Sequence, residues 1–337
     1  MKILILRFSS FGDVTQCLSV PSQILSSYPA AEVHWAVRED LAELLNAHPA
    51  IHKVWPLPRE SGLLGLWRFG FDLRRQNYTH LYDAHNNLRS RILSLLVRGF
   101  KFGGPGVSFI RKSQKRWKRF LLFKARIDTY EKPLSGQRDL LEPLAPWKVA
   151  KTLPPTPQIF ISKEAQQKVL AEIPWAPLSF VALAPSSAFV LKRWPIEAWS
   201  QLIRLCPEEK FVLLGGPGDT FLEKLAAEFP QQVLNFAGRF SLLESGAAIE
   251  FSQALIANDT GLLHVGEQLG KPTIALMGPA PFGFPSRPLT RILQRDLACR
   301  PCSKHGQGPC TNPQYQDCLR GISAETVAQN LKGILSK

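Results

Sequence analysis

Short apolar segments alternate with amphipathic segments along nearly the whole chain. The apolar segments have the length of buried strands, and the segments between them repeat their apolar positions with a helical period. Strands are predicted at residues 3–7, 32–36, 51–55, 80–83, 180–184, 211–214 and 233–236. Helices are predicted at 14–28 with a kink at Pro21, and at 40–46, 63–76, 87–97, 163–172, 196–206 and 221–228. This alternation, with short connections, predicts an α/β fold built on parallel sheets.

A proline-dense stretch at 145–157 divides the pattern into two series and is typical of a linker. We therefore expect two Rossmann-like domains. Residues 1–150 form the first and residues 158–322 the second. Ser323 begins a C-terminal helix that covers 323–337.

The most informative stretch is 254–278, which predicts a strand, a sharp turn at Asp259-Thr260-Gly261, a short helix and a second strand. The free N–H groups and the positive end of such a helix suit a phosphate. His264 lies one helical turn beyond Thr260, on the same rim. Asp259 ends the strand, where open α/β sheets bind ligands. The pattern predicts a phosphorylated or nucleotide-like ligand.

Two further polar groups follow predicted strands. Asp13, after the first strand, is either a general base or an N-cap of the helix that follows. Ser186 and Ser187 follow the first strand of the second series, with Lys192 close behind. They either hold a diphosphate or belong to a solvated surface loop.

Charge is unevenly spread along the 337 residues, which carry 41 basic and 27 acidic side chains and a net charge of +14. The interval 84–127 holds no acidic residue, and aromatic residues are interleaved with its basic ones, at Arg89, Arg91, Arg98, Lys101, Arg111, Lys112, Lys115, Arg116, Lys118, Arg119, Lys124 and Arg126. This segment indicates an anionic partner, which is a nucleic acid, a membrane surface or a phosphate-bearing substrate. The alternative is a solvated basic face. No apolar run reaches the roughly 18 residues of a membrane span, and residues 1–7 are too short for a signal-peptide core. We therefore expect a cytoplasmic protein.

Six cysteines divide into two groups. Cys17 and Cys206 have the setting of buried core residues. Cys299, Cys302, Cys310 and Cys318 form a late cluster that either binds structural zinc or holds reduced thiols. A stable disulfide is not expected in the cytoplasm. The common hydrolase, P-loop and zincin motifs are absent, and the glycine run at 215–218 is not a dinucleotide fingerprint.

Three motifs, taken in order, resemble glycosyltransferase family 9, the ADP-heptose:lipopolysaccharide heptosyltransferases. They are Ser9-Ser10-Phe11-Gly12-Asp13, Lys192-x-Trp194-Pro195 and Asp259-Thr260-Gly261-Leu262-x-His264. The stretch 83–90 is similar to the family's acceptor-side segment, and the cysteine cluster also recurs in many members. The resemblance covers nearly the whole chain. It implies a GT-B fold, with two Rossmann-like domains facing across a cleft.

The same resemblance implies inverting, metal-independent transfer of a heptose from ADP-L-glycero-β-D-manno-heptose to the inner core of lipopolysaccharide, without a cofactor. By position, Asp13 would be the base, and Lys192, with Ser186 and Ser187, would stabilise the departing diphosphate. Asp259 would hold donor-sugar hydroxyls. Two sets complete the implied site: Thr260, Gly261 and His264 at the phosphates, and Ser10, Asp83, Asn86 and Arg89 on the acceptor side.

The implied partners are a nucleotide sugar, an anionic glycolipid and the cytoplasmic face of the inner membrane, not a nucleic acid. The chain departs from the family pattern after His264, where Glu267 and Gln268 replace small alanines, and at 278–284. The alternatives are another donor or acceptor, or a non-catalytic protein that binds an anionic glycan or nucleic acid.

Overall fold

The computed structural model describes residues 1–99, 106–132 and 134–336. The chain divides into two units. The first comprises Met1–Arg116 and Gly136–Phe160, and the second comprises Trp117–Ser135 and Ile161–Lys337. The basic segment is thus shared between them, and its Lys101, with Phe100 and Phe102, lies outside the described residues.

The first unit is built on a five-stranded parallel sheet of order β3-β2-β1-β4-β5. The strands are β1 (Lys2–Leu6), β2 (Glu32–Arg38), β3 (Lys53–Leu57), β4 (His80–Asp83) and β5 (Ser108–Arg111). The helices of this unit are α1 (Phe11–Cys17), α2 (Ser19–Ser27), α3 (Glu43–Asn46), α4 (Gly62–Arg74), α5 (Leu88–Arg98) and α7 (Gly136–Leu141). Helix α6 (Arg116–Phe120) belongs, except for its first residue, to the second unit. The chain moves outward from β1 to β3 and then returns to place β4 on the other side of β1. The strand order therefore reverses between β1 and β4, the point where such sheets bind ligands.

The second unit is built on a six-stranded parallel sheet of order β11-β10-β9-β6-β7-β8. The strands are β6 (Val181–Ala184), β7 (Phe211–Leu213), β8 (Val233–Asn235), β9 (Ala254–Asn258), β10 (Thr273–Leu276) and β11 (Thr290–Leu293). The helices are α8 (Lys163–Glu172), α9 (Ile196–Leu205), α10 (Phe221–Glu228), α11 (Leu242–Phe251), α12 (Gly261–Leu269), α13 (Asp317–Arg320) and α14 (Ala324–Leu335). Here the order reverses between β6 and β9.

Both sheets are covered on their faces by helices, and the central strands carry the core. The side chains of β1 from Ile3 to Leu6 and of β9 from Ala254 to Asn258 are fully buried. Strands buried on both faces are continuous apolar runs rather than alternating ones, which is why the sequence pattern found them.

Residues 117–135 group with the second unit because of particular contacts. Phe123 and Tyr130 lie with their rings 6.0 and 5.6 Å from the ring of Phe282. Arg126 donates to the carbonyl oxygen of Pro301 at 2.7 Å. The sequence boundaries 1–150 and 158–322 did not separate this segment, because these contacts join residues far apart in the chain.

The helix predicted at 14–28 is two helices, α1 and α2, which meet at Leu18 rather than at Pro21. Pro21 cannot donate a backbone hydrogen bond, and its ring crowds the carbonyl of Cys17 four residues earlier. The break therefore falls one turn before the proline. Strands β5 and β11 and helices α6, α7, α11 and α13 were not predicted.

Candidate functional site

Ser10 and Asp13 lie at the switch point of the first sheet, directly after β1. Ser10 is the N-cap residue of α1, and its Oγ donates to Asp13 Oδ2 at 2.8 Å, while its backbone N–H donates to the same oxygen at 3.3 Å. Asp13 is the third residue of α1 and not its N-cap, so the N-cap interpretation is wrong, although the carboxylate completes a capping box with Ser10. Its side chain is nevertheless 52% exposed, so the cap leaves the carboxylate accessible.

A buried arginine holds the Asp13 carboxylate. Arg7 Nη2 lies 2.6 Å from Asp13 Oδ2, and Arg7 Nη1 donates to the carbonyl oxygen of Ala84 at 2.7 Å. Burial alone would raise the pKa of Asp13, but the Arg7 charge, the Ser10 hydrogen bonds and the charge of Lys112 outweigh it. The pKa is therefore below its ordinary value, and Asp13 is ionised at neutral pH.

The loop after β4 approaches the same switch point and is held by Asp83. This side chain is fully buried and 2.7 Å from Arg111 Nε, and its other oxygen accepts the backbone N–H groups of His85 and Asn86. Asn86 has a left-handed backbone, and its amide donates to the carbonyl oxygen of Lys112. Both carboxylate oxygens of Asp83 are thus already bound within the loop. Asp83 would therefore influence acceptor binding through the residues that it positions.

Arg89 is exposed in the first turn of α5, which Asn87 caps. Near this loop lies a pocket of about 440 Å³, here called the basic pocket. Its lining contains five cationic side chains and is formed by Asn86, Arg91, Arg111, Lys112, Ser113, Gln114, Lys115 and Arg116. Asp139 pairs with Lys112 and Lys115 at 2.8 Å, and Glu142 pairs with Lys115 at 2.6 Å. The cations of the lining outnumber the carboxylates that pair with them, so the pocket suits an anionic group.

In the second unit, the switch point between β6 and β9 brings together loops separated by over seventy residues. Ser187 Oγ donates to the carbonyl oxygen of Asp259 at 3.0 Å. Asn258, the last residue of β9, accepts the backbone N–H of Trp194 at 3.1 Å and donates to the carbonyl oxygen of Pro185. Sequence reasoning missed Asn258, because its two partners are identifiable only when the strands are paired.

Lys192 and Asp259 form a direct ion pair at this switch point. Lys192 Nζ lies 2.7 Å from Asp259 Oδ2, and the side chains are 14% and 6% exposed. Lys192 ends the short 3₁₀ turn Val190–Lys192, which fixes the direction of its side chain. The sequence assigned these residues to different parts of a ligand, and the structure shows that they also bind each other.

Ser186 is engaged by Asp219, a residue that the sequence analysis did not select. Ser186 Oγ donates to Asp219 Oδ1, and Asp219 Oδ2 accepts the backbone N–H of Gly216 at 2.8 Å. The glycine run after β7 is thus a turn that positions Asp219 beneath Ser186. In the sequence, the only sign of this role of Asp219 is that a carboxylate follows Gly215 by four positions.

Helix α12 begins at this switch point, as predicted. Thr260 is its N-cap residue, but its side chain makes no capping hydrogen bond. The first N–H groups of this nine-residue helix therefore do not donate to the Thr260 side chain. Gly270 ends the helix in a left-handed conformation.

His264 is buried on α12, and its partner explains one departure of the sequence from the family pattern. His264 Nδ1 lies 3.3 Å from Glu267 Oε2, while Glu267 Oε1 accepts the backbone N–H groups of Ser286 and Arg287 at 2.6 and 2.8 Å. Glu267 thus ties His264 to the loop after β10. Sequence reasoning missed this role of Glu267, because residues 286 and 287 contact α12 only in the folded protein.

The late cysteines lie in a loop that supports the turn carrying Lys192. Gln316 donates to the carbonyl oxygens of Val190 and Arg193 at 3.0 and 2.8 Å. A pocket of about 440 Å³ lies between residues 188–191 and residues 306–310 with Tyr315. Here Gly306 has a positive φ and lies against the Lys192 side chain, which leaves no room for a Cβ.

All six cysteines are free thiols. Burial, with the neighbouring Cys299 and Cys310, raises the pKa of Cys302, and burial raises the pKa of Cys318 to about 11. Across residues 1–99, 106–132 and 134–336, no group of three or more His, Cys, Asp or Glu side chains is arranged to hold a metal ion. In the same part of the chain, no helix has both the length and the apolar composition needed to cross a membrane.

Two doubly wound parallel sheets, each with polar groups at its switch point, are characteristic of the GT-B fold. The family model for Glycosyltransferase family 9 (heptosyltransferase) matches residues 66–315, and the chain belongs to this family.

Curated relatives agree with this assignment, and a solved structure agrees with the fold. Lipopolysaccharide heptosyltransferase 1 of Pseudomonas aeruginosa is 26% identical over 99% of this chain and 98% of its own. Lipopolysaccharide heptosyltransferase 2 of Salmonella typhimurium is 25% identical over 100% and 99%. The solved structure of E. coli heptosyltransferase WaaC with ADP-2-deoxy-2-fluoro heptose superimposes with a TM-score of 0.69 at 19% identity, over 99% of both chains. The predicted fold class and family are confirmed.

Proposed function

We propose that this enzyme transfers a heptose from ADP-L-glycero-β-D-manno-heptose to a sugar hydroxyl of the inner core of lipopolysaccharide, with inversion and without a metal ion or cofactor. Two curated relatives are named lipopolysaccharide heptosyltransferases, and the solved relative contains an ADP-heptose analogue. The observation that carries the proposal is an ionised, accessible Asp13 at one switch point, with Lys192 and the α12 terminus at the other.

Asp13 acts as the general base in this proposal. Its carboxylate takes the proton of the acceptor hydroxyl while that oxygen attacks the anomeric carbon of the heptose. The bond between this carbon and the β-phosphate oxygen breaks, and ADP departs with the electron pair. A single displacement on the opposite face inverts the anomeric carbon, and Arg7 and Ser10 hold the base in place.

The second unit binds the donor and stabilises the leaving diphosphate. Lys192 supplies a nearly buried cation, and the N-terminal N–H groups of α12 supply oriented dipoles. This positive charge stabilises the leaving diphosphate, the role that a divalent metal has in other transferases. We assign Asp259 to the sugar hydroxyls, and we assign the remaining predicted donor residues, Ser186, Ser187, Thr260, Gly261 and His264, to the diphosphate.

The first unit binds the acceptor. Ser10 lies beside the base, while Arg89 and the basic pocket are suited to acidic groups on the inner core. Asp83 and Asn86 shape that loop. Because this acceptor is a membrane glycolipid, the enzyme would work at the cytoplasmic face of the inner membrane. The reaction requires the acceptor hydroxyl at Asp13 to reach the donor's anomeric carbon.

The test is a transfer assay with ADP-L-glycero-β-D-manno-heptose and a heptose-free inner-core acceptor. The product should carry an α-linked heptose by NMR, and added chelator should not change the rate. Calorimetry of ADP, UDP and GDP provides a second test, in which ADP should bind the tightest. A clear preference for another nucleotide, or a retained β linkage, would refute this assignment.

A further inference from the structure

Helix α4 in the first unit is apolar on two faces, and only one of them is buried. Leu66, Gly70 and Leu73 form the buried face. A Cβ on Gly70 would lie within about 3 Å of the side chains of Leu93 and Leu96 on α5, so the two helices pack closely. The buried face therefore packs α4 against the rest of the first unit.

An adjoining face of α4 exposes four large apolar side chains. Leu63, Leu64, Trp67 and Phe71 are 71%, 79%, 47% and 45% exposed. Positions 63, 67 and 71 follow one another at single-turn spacing, and position 64 widens the stripe. The rings of Trp67 and Phe71 lie 6.1 Å apart. Scattered exposed apolar residues are ordinary, but a continuous stripe on one helix marks an interaction surface.

A pocket rich in arginine adjoins this stripe. Its volume is about 410 Å³, and it is lined by Phe71, Arg74, Arg75, Asn77, Tyr78, Val97, Arg98 and Val107. Phe71 belongs to both the stripe and the pocket, so they are continuous. Asp72 pairs with Arg75 at 3.2 Å. Three arginines therefore meet the end of an apolar stripe, and the lining contains no carboxylate.

We propose that the exposed face of α4 docks on an anionic lipid bilayer. Its leucines and aromatic rings would enter the interface, and Arg74, Arg75 and Arg98 would bind lipid phosphates. Apolar and aromatic residues beside arginines are characteristic of helices that lie in the membrane surface. With 13 residues, α4 is shorter than the roughly 20 residues of a span, so it lies on the bilayer. The inference rests on the proposed function, since a glycolipid acceptor requires an enzyme at the membrane surface.

The test is co-sedimentation of the full-length protein with vesicles of phosphatidylcholine alone, or with about one third phosphatidylglycerol. The wild type should sediment with the anionic vesicles. The double variant Leu64→Gln, Trp67→Gln should lose about tenfold or more of that binding, because both side chains project into solvent and the core is untouched. The matched control Leu170→Gln, Leu178→Gln replaces leucines that are 44% and 56% exposed in the second unit and should bind as the wild type does. Arg74→Gln, Arg75→Gln should remove the preference for phosphatidylglycerol.

Turnover with a water-soluble acceptor separates this inference from the proposed function. The α4 double variant should keep that turnover while losing vesicle binding, whereas Asp13→Asn should lose turnover and still bind vesicles. Equal sedimentation of the double variant and the wild type would overturn the docking surface. So would a wild type that ignores vesicles but forms a dimer that the double variant cannot form, since the stripe would then cover a second copy of the chain.

Discussion

Lys192 Nζ lies 2.7 Å from Asp259 Oδ2, with both side chains nearly buried at the carboxyl edge of the second sheet. Each charge stabilises the other, because removing one leaves its partner unpaired in a poorly solvated site. A substitution of either residue therefore tests stability and chemistry together, and the two readouts must be separated.

Lys192→Ala should lower turnover by about a hundredfold, since the leaving diphosphate loses a preorganised cation. It should also destabilise the fold by about 3 kcal/mol, because Asp259 remains buried and unpaired. Steady-state kinetics and thermal unfolding measure the two effects. Lys304→Ala, on the exposed part of the cysteine loop, is the control and should change neither. A comparable rate loss in both variants would remove the leaving-group role.

Asp13→Asn should still fold, with some loss of stability because Arg7 loses its charged partner. It should lose transfer by about a hundredfold or more, because an amide cannot accept the proton of the acceptor hydroxyl. Affinity for ADP, measured by calorimetry, should be unchanged. Asp72→Asn, at an exposed carboxylate of α4, is the matched control. Near-wild-type turnover of Asp13→Asn with the authentic acceptor would rule out Asp13 as the base.

The pH dependence of transfer should follow the ionisation of Asp13. Its pKa in the folded protein is below the ordinary value of 3.8, so the carboxylate is present at every pH above that value. The acidic limb of kcat/KM due to this base should therefore appear only below about pH 4. Because the pKa of Asp13 is lower in the folded than in the unfolded protein, ionised Asp13 stabilises the fold. This stabilisation is complete above about pH 4 and is lost as the pH falls through the lowered pKa. An acidic limb centred near neutrality in the wild type would point to another base.

Arg116→Ala in the basic pocket should raise the KM for an anionic acceptor by about tenfold, because a charge-assisted hydrogen bond is lost. The KM for the donor should not change. Since an accessible charge is screened by salt, the difference from the wild type should shrink as ionic strength rises. Arg239→Ala removes an exposed arginine that pairs with Glu172 in the second unit and is the control. An unchanged acceptor KM would place the acceptor elsewhere.

Glu267→Ala should destabilise the protein by about 3 kcal/mol, because two backbone N–H groups and His264 lose a buried acceptor. Glu267→Gln keeps one carbonyl oxygen for the two N–H groups and should recover most of that stability. Thermal unfolding of the two variants measures the difference. If Glu267→Gln lowered the stability as much as Glu267→Ala, the stabilisation of α12 would depend on the charge of Glu267 and not on its hydrogen bonds to the loop.

Local pattern was enough to predict most elements and the position of the candidate site along the chain. The apolar run of β9, the turn at Asp259 and the glycine that ends α12 all act within a few residues, so the sequence displays them directly. The same holds for Asp13, since an acidic residue in the first turn of a helix that follows a buried strand can be recognised from the sequence alone. The break at Leu18 was misplaced because the clash of Pro21 acts one turn away from the proline itself.

The tertiary structure decided which of these groups meet. Strand order places Ala84 against Arg7, pairs Lys192 with Asp259, and sets Ser286 against Glu267, across separations of 77, 67 and 19 positions. It also buried Asp83 under Arg111, so that a residue predicted to contact the acceptor lies beneath the loop. The sequence by itself determined the repeating strands and helices, because hydrophobic period and backbone preference are local properties. The order of the strands, and with it the pairing of Lys192 with Asp259 and of Asp83 with Arg111, follows from how the helices pack on each sheet, which no local pattern contains.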